Sequence, residues 1–186
     1  MDDSDGRTRL LDLLRERALF RESVVLASGE RTSHYFDAGQ VLLDPEGAAI
    51  AGRLAHTLLA PQSPEAVGGP TATAGALVCA ISAAAWADGA RWNGFFIRDD
   101  AKRYGLQNWI EGPFIEEGTP VAVVDDTLST GATLIAAIER ARSAGGVVVA
   151  ALAVIDREEG GRAAVEESLD GAPIHTLFTA SGIRGE

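Results

Sequence analysis

Residues 121–134 read VAVVDDTLSTGATL, and this stretch decides the fold prediction. The apolar run over 121–124 predicts a buried strand, and the apolar positions at helical spacing predict a helix over 131–143. The strand therefore ends in two aspartates and a loop of small hydroxyl residues. Residues 147–155 form a second, nearly unbroken apolar run, which is typical of a strand buried on both faces.

The same alternation of strands and helices extends over most of the chain. Further helices are predicted at about 8–19, 46–60, 74–88 and 161–169, and further strands at about 23–26, 66–67, 95–97 and 174–178. Residues 1–7 are expected to form a frayed tail, and residues 99–118 a long loop. We predict an α/β fold with a mostly parallel central sheet flanked by helices. Right-handed crossovers then place the loops after the strands at one sheet edge, where such folds bind ligands.

Composition and charge narrow the class of protein. The chain has 186 residues, which predicts one domain, and its hydrophobic content of 46% excludes disorder for the body of the chain. A net charge of −11 argues against nucleic acid as a partner. No apolar stretch approaches the roughly 18 residues that a membrane span needs, and the acidic N-terminus has no apolar signal region, so we expect a cytoplasmic protein without a membrane partner. The single cysteine, Cys79, lies in an Ala-rich run and is predicted to be buried.

The loop after the predicted strand has the chemistry to hold a phosphosugar. Gly131 allows the backbone to approach a bound phosphate closely, so that backbone N–H groups can surround the anion. The positive end of the helix that follows also favours an anion. Hydroxyls that can donate to phosphate oxygens belong to Thr127, Ser129, Thr130 and Thr133. Asp125 and Asp126 either accept from vicinal sugar hydroxyls or hold a hydrated magnesium ion. A capped strand–turn–helix with solvated aspartates is the weaker interpretation, because a cap needs one polar residue rather than six.

The segment over 125–133 resembles the phosphoribosyl-pyrophosphate (PRPP) loop of type I phosphoribosyltransferases. Two further segments resemble the orotate branch of that family, LASGERTSHYFD over 26–37 and IDREEGG over 155–161. The chain is thereby identified as a divergent member of the orotate phosphoribosyltransferase family. The resemblance implies one domain over 1–186, with a small N-terminal base-binding hood over about 8–40 and a core over about 41–180.

The resemblance implies a pentosyltransferase that moves the 5-phosphoribosyl group from PRPP to orotate and releases pyrophosphate. Mg²⁺ is the implied cofactor, held mainly through PRPP, with Asp125 and Asp126 as candidate ligands. Arg98 and Lys102 would stabilise charge on the leaving pyrophosphate. These four residues are the catalytic candidates. The family also implies a homodimer in which the 99–112 loop closes over the neighbouring subunit's site.

Two sets of binding residues follow from the resemblance. The implied PRPP-binding residues are Asp125, Asp126, Thr127, Ser129, Thr130, Gly131, Ala132, Thr133, Arg98 and Lys102. The implied orotate-binding residues are Ser129, Arg157, Tyr35 and Phe36. A guanidinium suits a carboxylate through a two-pronged contact, which supports Arg157. The alternative for Arg157 is a salt bridge with Glu158 or Glu159.

The sequence departs from the family where the leaving group would lie. Asp99 stands where the family carries a second basic residue, and Tyr104 where it carries a loop histidine. The 70–76 loop reads PTATAGA where the family commonly carries Leu-Thr-x-Gly-Ala-Asp-Pro, so the Gly, Asp and Pro of that pattern are missing at their usual positions. These differences predict an intact sugar-phosphate site and a weakened pyrophosphate site. They also leave open a paralogous transferase for another base or acid, or a non-catalytic binder of PRPP or a nucleotide.

Overall fold

A computed structural model of the chain describes residues 2–20, 24–25, 31–32, 35–98 and 109–186. The helices are α1 (Asp3–Leu13, continued by a π-helical turn over Leu14–Ala18), α2 (Gly39–Leu42), α3 (Pro45–Leu59, continued by a 3₁₀ turn over Ala60–Gln62), α4 (Ala72–Ala87), α5 (Ala132–Ser143), α6 (Gly161–Ser168) and α7 (Ala180–Arg184). The strands are β1 (Leu19–Phe20), β2 (Val24–Val25), β3 (Arg31–Thr32), β4 (Tyr35–Phe36), β5 (Ala66–Gly69), β6 (Asn93–Ile97), β7 (Ile110–Glu111), β8 (Pro120–Leu128), β9 (Val147–Asp156) and β10 (Ile174–Thr179).

The central sheet has six strands in the order β10-β9-β8-β5-β6-β7. The first five run parallel, and β7 closes one edge antiparallel to β6. β1 pairs with β4, and β2 with β3, in two small antiparallel ladders near the N-terminus. The predicted α/β fold with a mostly parallel sheet is confirmed.

Two hydrophobic layers cover the sheet, one on each face. Alternate residues of β8 pack into the two layers, because successive side chains of a strand point to opposite faces of the sheet. Ala122 and Val124 pack with residues of α1, α3 and α4. Val121 and Val123 pack with residues of α5 and α6. The continuous apolar run in β8 is therefore a strand buried on both sides, as the sequence predicts.

Three expectations about local structure are wrong. The frayed tail expected over 1–7 is wrong for the described residues 2–7, since α1 begins at Asp3, where the Asp2 carboxylate accepts a hydrogen bond from the Asp5 N–H at 2.8 Å. The guanidinium of Arg53 anchors this end through a 2.6 Å ion pair with Asp3. Cys79 is exposed rather than buried, on the outer side of α4. Within the predicted loop over 99–118, the described residues include β7, which pairs with β6, while residues 99–108 lie outside the described residues.

Candidate active site

A pocket of about 150 Å³ lies at the carboxyl edge of the sheet, between the ends of β5 and β8. It is lined by Thr71, Asp125, Asp126, Thr127, Leu128, Ser129, Thr130, Gly131, Ala132, Thr133 and Leu134. The structure thus brings together eight of the predicted PRPP-binding residues in one continuous wall. Asp125, Asp126 and Thr127 lie in the last part of β8, whereas the residues from Ser129 to Thr133 lead into α5. A helix start is the placement that phosphate binding needs, although the roles of all eight residues stay predictions.

Gly131 makes the turn from β8 into α5 possible. Its φ is +85°, in the left-handed region, and a Cβ there would lie 2.9 Å from both the Gly161 carbonyl oxygen and Val165 Cγ2. No side chain caps α5, and the first intrahelical bond runs from the Ile135 N–H to the Gly131 carbonyl at 2.9 Å. The N–H groups of the first turn therefore remain free of a side-chain cap at the positive end of the helix, beside the pocket.

Thr71 lines the opposite wall and was not among the predicted site residues. Its hydroxyl oxygen caps α4 by accepting the Ala74 N–H at 2.9 Å, and the same hydroxyl lies close enough to Asp125 to lower the pKa of that carboxyl. A threonine directly after the Gly-Gly-Pro end of a strand, with a helix beginning at the next residue, is a recognisable capping signal. Thr71 therefore places a second helix N-terminus beside the carboxylates.

The two aspartates form an acid pair in which Asp125 is the buried member. The Asp125 side chain is almost fully buried, with the residue 3% exposed, whereas Asp126 is partly exposed. Burial, followed by the neighbouring Asp126 carboxyl, raises the pKa of Asp125 to about 8. The Asp126 N–H donates to Asp125 Oδ1 at 2.9 Å and opposes this shift, as does the Thr71 hydroxyl. At neutral pH the pair therefore carries a proton that hydroxyl donors or a cation can displace.

A second loop, over 156–161, is joined to the phosphate loop by backbone hydrogen bonds. The Arg157 N–H donates to the Leu128 carbonyl at 2.8 Å, and the Gly161 N–H donates to the Ser129 carbonyl at 3.0 Å. A Cβ at Gly161 would lie 2.6 Å from the Gly131 nitrogen, which is well inside ordinary contact. Only glycine therefore allows the two loops to lie this close together.

Arg157 and Ser129, both predicted to bind orotate, are brought together on these two loops. Arg157 Nη2 forms a 2.8 Å ion pair with Glu159 Oε1, and Glu159 Oε2 accepts a hydrogen bond from the Ser129 hydroxyl. The alternative of a salt bridge with a neighbouring glutamate is thus realised by Glu159. Glu158 points elsewhere, accepting from the Ser181 N–H at 2.7 Å and its hydroxyl at 2.9 Å.

The remaining predicted residues lie apart from the pocket or outside the described residues. Phe36 is buried in the core beside α1, and the Tyr35 ring lies 6.4 Å from that of Phe20. Neither Phe36 nor Tyr35 lines the pocket. Arg98 follows β6 at the same sheet edge and pairs with Glu111 at 2.6 Å. Lys102, Asp99 and Tyr104 lie outside the described residues.

Among the residues that the structure describes, no group of three or more His, Cys, Asp or Glu side chains is arranged to hold a metal ion. Within the same part of the chain, no helix is long and apolar enough to cross a bilayer.

Comparison with known proteins places the chain in a family. No protein-family model matches it. Orotate phosphoribosyltransferase from Rhodopseudomonas palustris strain BisB18 is 36% identical over 184 residues, which cover 97% of each chain. The crystal structure of Mycobacterium tuberculosis H37Rv orotate phosphoribosyltransferase with Fe(III) dicitrate has a TM-score of 0.84 at 30% identity, covering 96% of this chain and 98% of that one. The complex of the same enzyme with PRPP has a TM-score of 0.80 at 29% identity, covering 96% and 99%.

The similarity extends over nearly the whole length of both chains in each comparison, so the aligned region spans the sheet, the phosphate loop and the second loop. The 36% identity to the Rhodopseudomonas palustris enzyme over that length shows more than a shared fold. The chain belongs to the orotate phosphoribosyltransferase family.

Proposed function

We propose that this protein transfers the 5-phosphoribosyl group of PRPP to orotate, forming orotidine 5′-phosphate and pyrophosphate. The observation that carries the proposal is the junction of the two loops. The phosphate loop after β8 and the Arg157 loop after β9 are hydrogen-bonded to each other at one sheet edge. A sugar-phosphate and a carboxylate-bearing base can therefore be held side by side.

The 5-phosphate is assigned to the start of α5. N–H groups of Ala132 and Thr133 and the hydroxyl of Thr130 are the donors there, and the helix end adds positive potential. The ribose hydroxyls are assigned to the Asp125–Asp126 pair. Donation from two vicinal hydroxyls would favour the charged form of Asp125, so sugar binding and loss of its proton are coupled.

Mg²⁺ is the cofactor that we assign to this site. Asp125 and Asp126 offer carboxylate oxygens, which suit a hard divalent cation. No third protein ligand joins them among the described residues, and two carboxylates suit an ion held mainly through substrate phosphates. When bound, the ion would neutralise charge on the departing pyrophosphate. Arg98 stands at the same sheet edge, and with Lys102 is the protein's own candidate for stabilising that charge.

Orotate is assigned to the Arg157 loop. The Arg157 guanidinium is held by its ion pair with Glu159 and by burial, since the Arg157 side chain is 14% exposed. The Ser129 hydroxyl donates to the same Glu159 carboxylate. Together they offer the two donors that a planar carboxylate accepts. Tyr35 and Phe36 support the hood from β4, away from the pocket.

We also propose a homodimer, with the 99–112 loop closing over the neighbouring site. The support is the outer face of α4, where Cys79, Ala83 and Trp86 are exposed at helical spacing and Trp86 is 73% exposed. Phe96 lies over Gly75 on the same face and is itself partly exposed. An apolar strip of this kind is typical of an interface. Sedimentation should show a dimer that Trp86→Glu dissociates, and a monomeric wild-type protein would contradict the assignment.

A steady-state assay with orotate, PRPP and Mg²⁺ tests the proposed function. Turnover should require all three components, and calorimetry should show PRPP binding that Thr130→Val weakens and Gly131→Val abolishes. PRPP binding without orotate turnover would instead favour transfer to another base or acid, or a binding role.

A further inference from the structure

One carboxylate of the protein itself occupies the two donors that are assigned to orotate. Glu159 Oε1 lies 2.8 Å from Arg157 Nη2, and Glu159 Oε2 accepts from the Ser129 hydroxyl. Each oxygen of the carboxylate therefore has its own donor. An acceptor carboxylate would need the same two donors in the same arrangement, so it and Glu159 compete for them.

The two donors are fixed, whereas Glu159 is the exposed member of the group. The Arg157 N–H is hydrogen-bonded to the Leu128 carbonyl and the Gly161 N–H to the Ser129 carbonyl, so the two loops are held against each other. The Arg157 side chain is 14% exposed and that of Glu159 is 43% exposed. An ion pair with so exposed a carboxylate is weak, and Glu159 is the partner that water can stabilise after it leaves.

Departure of Glu159 needs only its own side chain to rotate. On one side the Glu158 carboxylate is held by the Ser181 N–H and hydroxyl, and the Glu158 N–H donates to Asp156 Oδ1 at 2.8 Å. On the other side Gly161 is bonded to Ser129. The backbone is thus held on both sides of Glu159, while its side chain contacts Arg157 and Ser129.

We propose that Glu159 is an internal competitor for the acceptor's carboxylate and a determinant of acceptor specificity, an inference that rests on the proposed function. While Glu159 is in place, Arg157 is oriented and its charge is neutralised. An acceptor that carries a carboxylate displaces Glu159 and gains both donors. A base without a carboxylate gains nothing from the displacement and meets a neutral ion pair instead of a free guanidinium.

Glu159→Gln and Glu158→Gln form a matched pair of variants for the test. Both remove one negative charge from the same loop, but only Glu159 contacts Arg157 and Ser129. KM for orotate, KM for PRPP and kcat are measured for both variants and the wild type, together with thermal midpoints. Glu159→Gln should lower the KM for orotate by about two- to fivefold, the range that a weak exposed ion pair corresponds to, with kcat and the KM for PRPP unchanged.

The remaining outcomes separate the competing explanations. Glu158→Gln should leave the KM for orotate at the wild-type value, and an equal fall in both variants would mean a general charge effect and overturn the inference. A raised KM for orotate in Glu159→Gln would mean that Glu159 supports acceptor binding, and would also overturn it. Glu159→Asp keeps the charge, shortens the reach and provides a second, conservative variant, which should lower the KM less than Gln does. Absence of orotate turnover in the wild type overturns the proposed function and the inference with it, whereas turnover with an unchanged KM in Glu159→Gln overturns the inference alone.

Discussion

Replacing either of two adjacent glycines by alanine should separate the packing of the two active-site loops from general backbone strain. At Gly161 a Cβ would lie 2.6 Å from both the Gly131 nitrogen and the Thr130 carbonyl carbon, and it would also collide with the Ser129 carbonyl oxygen. At Gly160 a Cβ meets nothing within 4 Å, although its φ of +89° disfavours alanine. Gly161→Ala therefore pushes the loops apart, whereas Gly160→Ala only strains its own backbone.

The size of the effect follows from these distances. Ordinary contact begins near 3.4 Å, so the Gly161 loop has to retreat by about 1 Å from the phosphate loop. That displacement breaks the 3.0 Å hydrogen bond from the Gly161 N–H to Ser129, and a misplacement of about 1 Å in an active site costs about 100-fold in rate. We expect Gly161→Ala to lower kcat/KM for PRPP about 100-fold. Gly160→Ala should cost about 1 kcal/mol of folding stability and change kcat/KM by less than about twofold.

The assay compares kcat/KM, the dissociation constant of PRPP by calorimetry, and the thermal midpoint for the two variants and the wild type. A folded Gly161→Ala protein that binds PRPP as tightly as the wild type would refute the account, because the loops would then not depend on each other. An equal loss of kcat/KM in both variants would assign the effect to strain and not to the contact between the loops.

Three further predictions concern charge. Because the pKa of Asp125 is raised to about 8, the native state holds more protons than the unfolded state between about pH 4 and 8. The contribution of Asp125 to the free energy of unfolding therefore falls as pH rises through that window. Asp125→Asn should accordingly raise the thermal midpoint at pH 9 more than at pH 5. The reverse order would contradict the raised pKa of Asp125. Arg157→Ala should raise the KM for orotate at least tenfold while leaving the affinity for PRPP within about twofold, since one charged, buried contact is lost; equal loss of both would mean that Arg157 supports the fold. Asp99→Lys combined with Tyr104→His should raise kcat more than it changes the KM for orotate, measured by steady-state kinetics, because the family resemblance implies that both positions act on the leaving pyrophosphate and not on the acceptor. An unchanged kcat would show that these positions do not limit the rate.

The sheet was predictable because its central strands are buried on both faces. Val121 to Val124 and 147–155 remain apolar at every position, and such a run is visible without knowing the fold. β7 was not predictable, since two residues carry no period and Ile110 and Glu111 are defined by their pairing with β6. The start of α1 is hard to recognise in the sequence although Asp2 caps it by accepting from the Asp5 N–H, because a run of acidic residues resembles a solvated tail.

The site was predictable in its residue types and less so in its contacts. The hydroxyl and glycine residues after β8 lie next to one another in sequence, so their common pocket follows from local structure. Thr71 reaches the same pocket from β5, 54 residues before Asp125, and only the sheet order makes them neighbours. Both glutamates after Arg157 are likewise visible in the sequence. That Glu159 contacts Arg157 while Glu158 contacts Ser181 is shown only by the structure. Cys79 was misplaced because an Ala-rich helix does not reveal which of its faces is covered.

Identification of the reaction products tests the central claim most directly. The purified protein is incubated with orotate, PRPP and Mg²⁺, and orotidine 5′-phosphate and pyrophosphate are quantified by mass spectrometry and a coupled pyrophosphate assay. We predict equimolar formation of the two products, lost on omission of PRPP and strongly reduced in Thr130→Val. Pyrophosphate release without orotidine 5′-phosphate, or PRPP binding with neither product, would contradict the assignment of orotate as the acceptor.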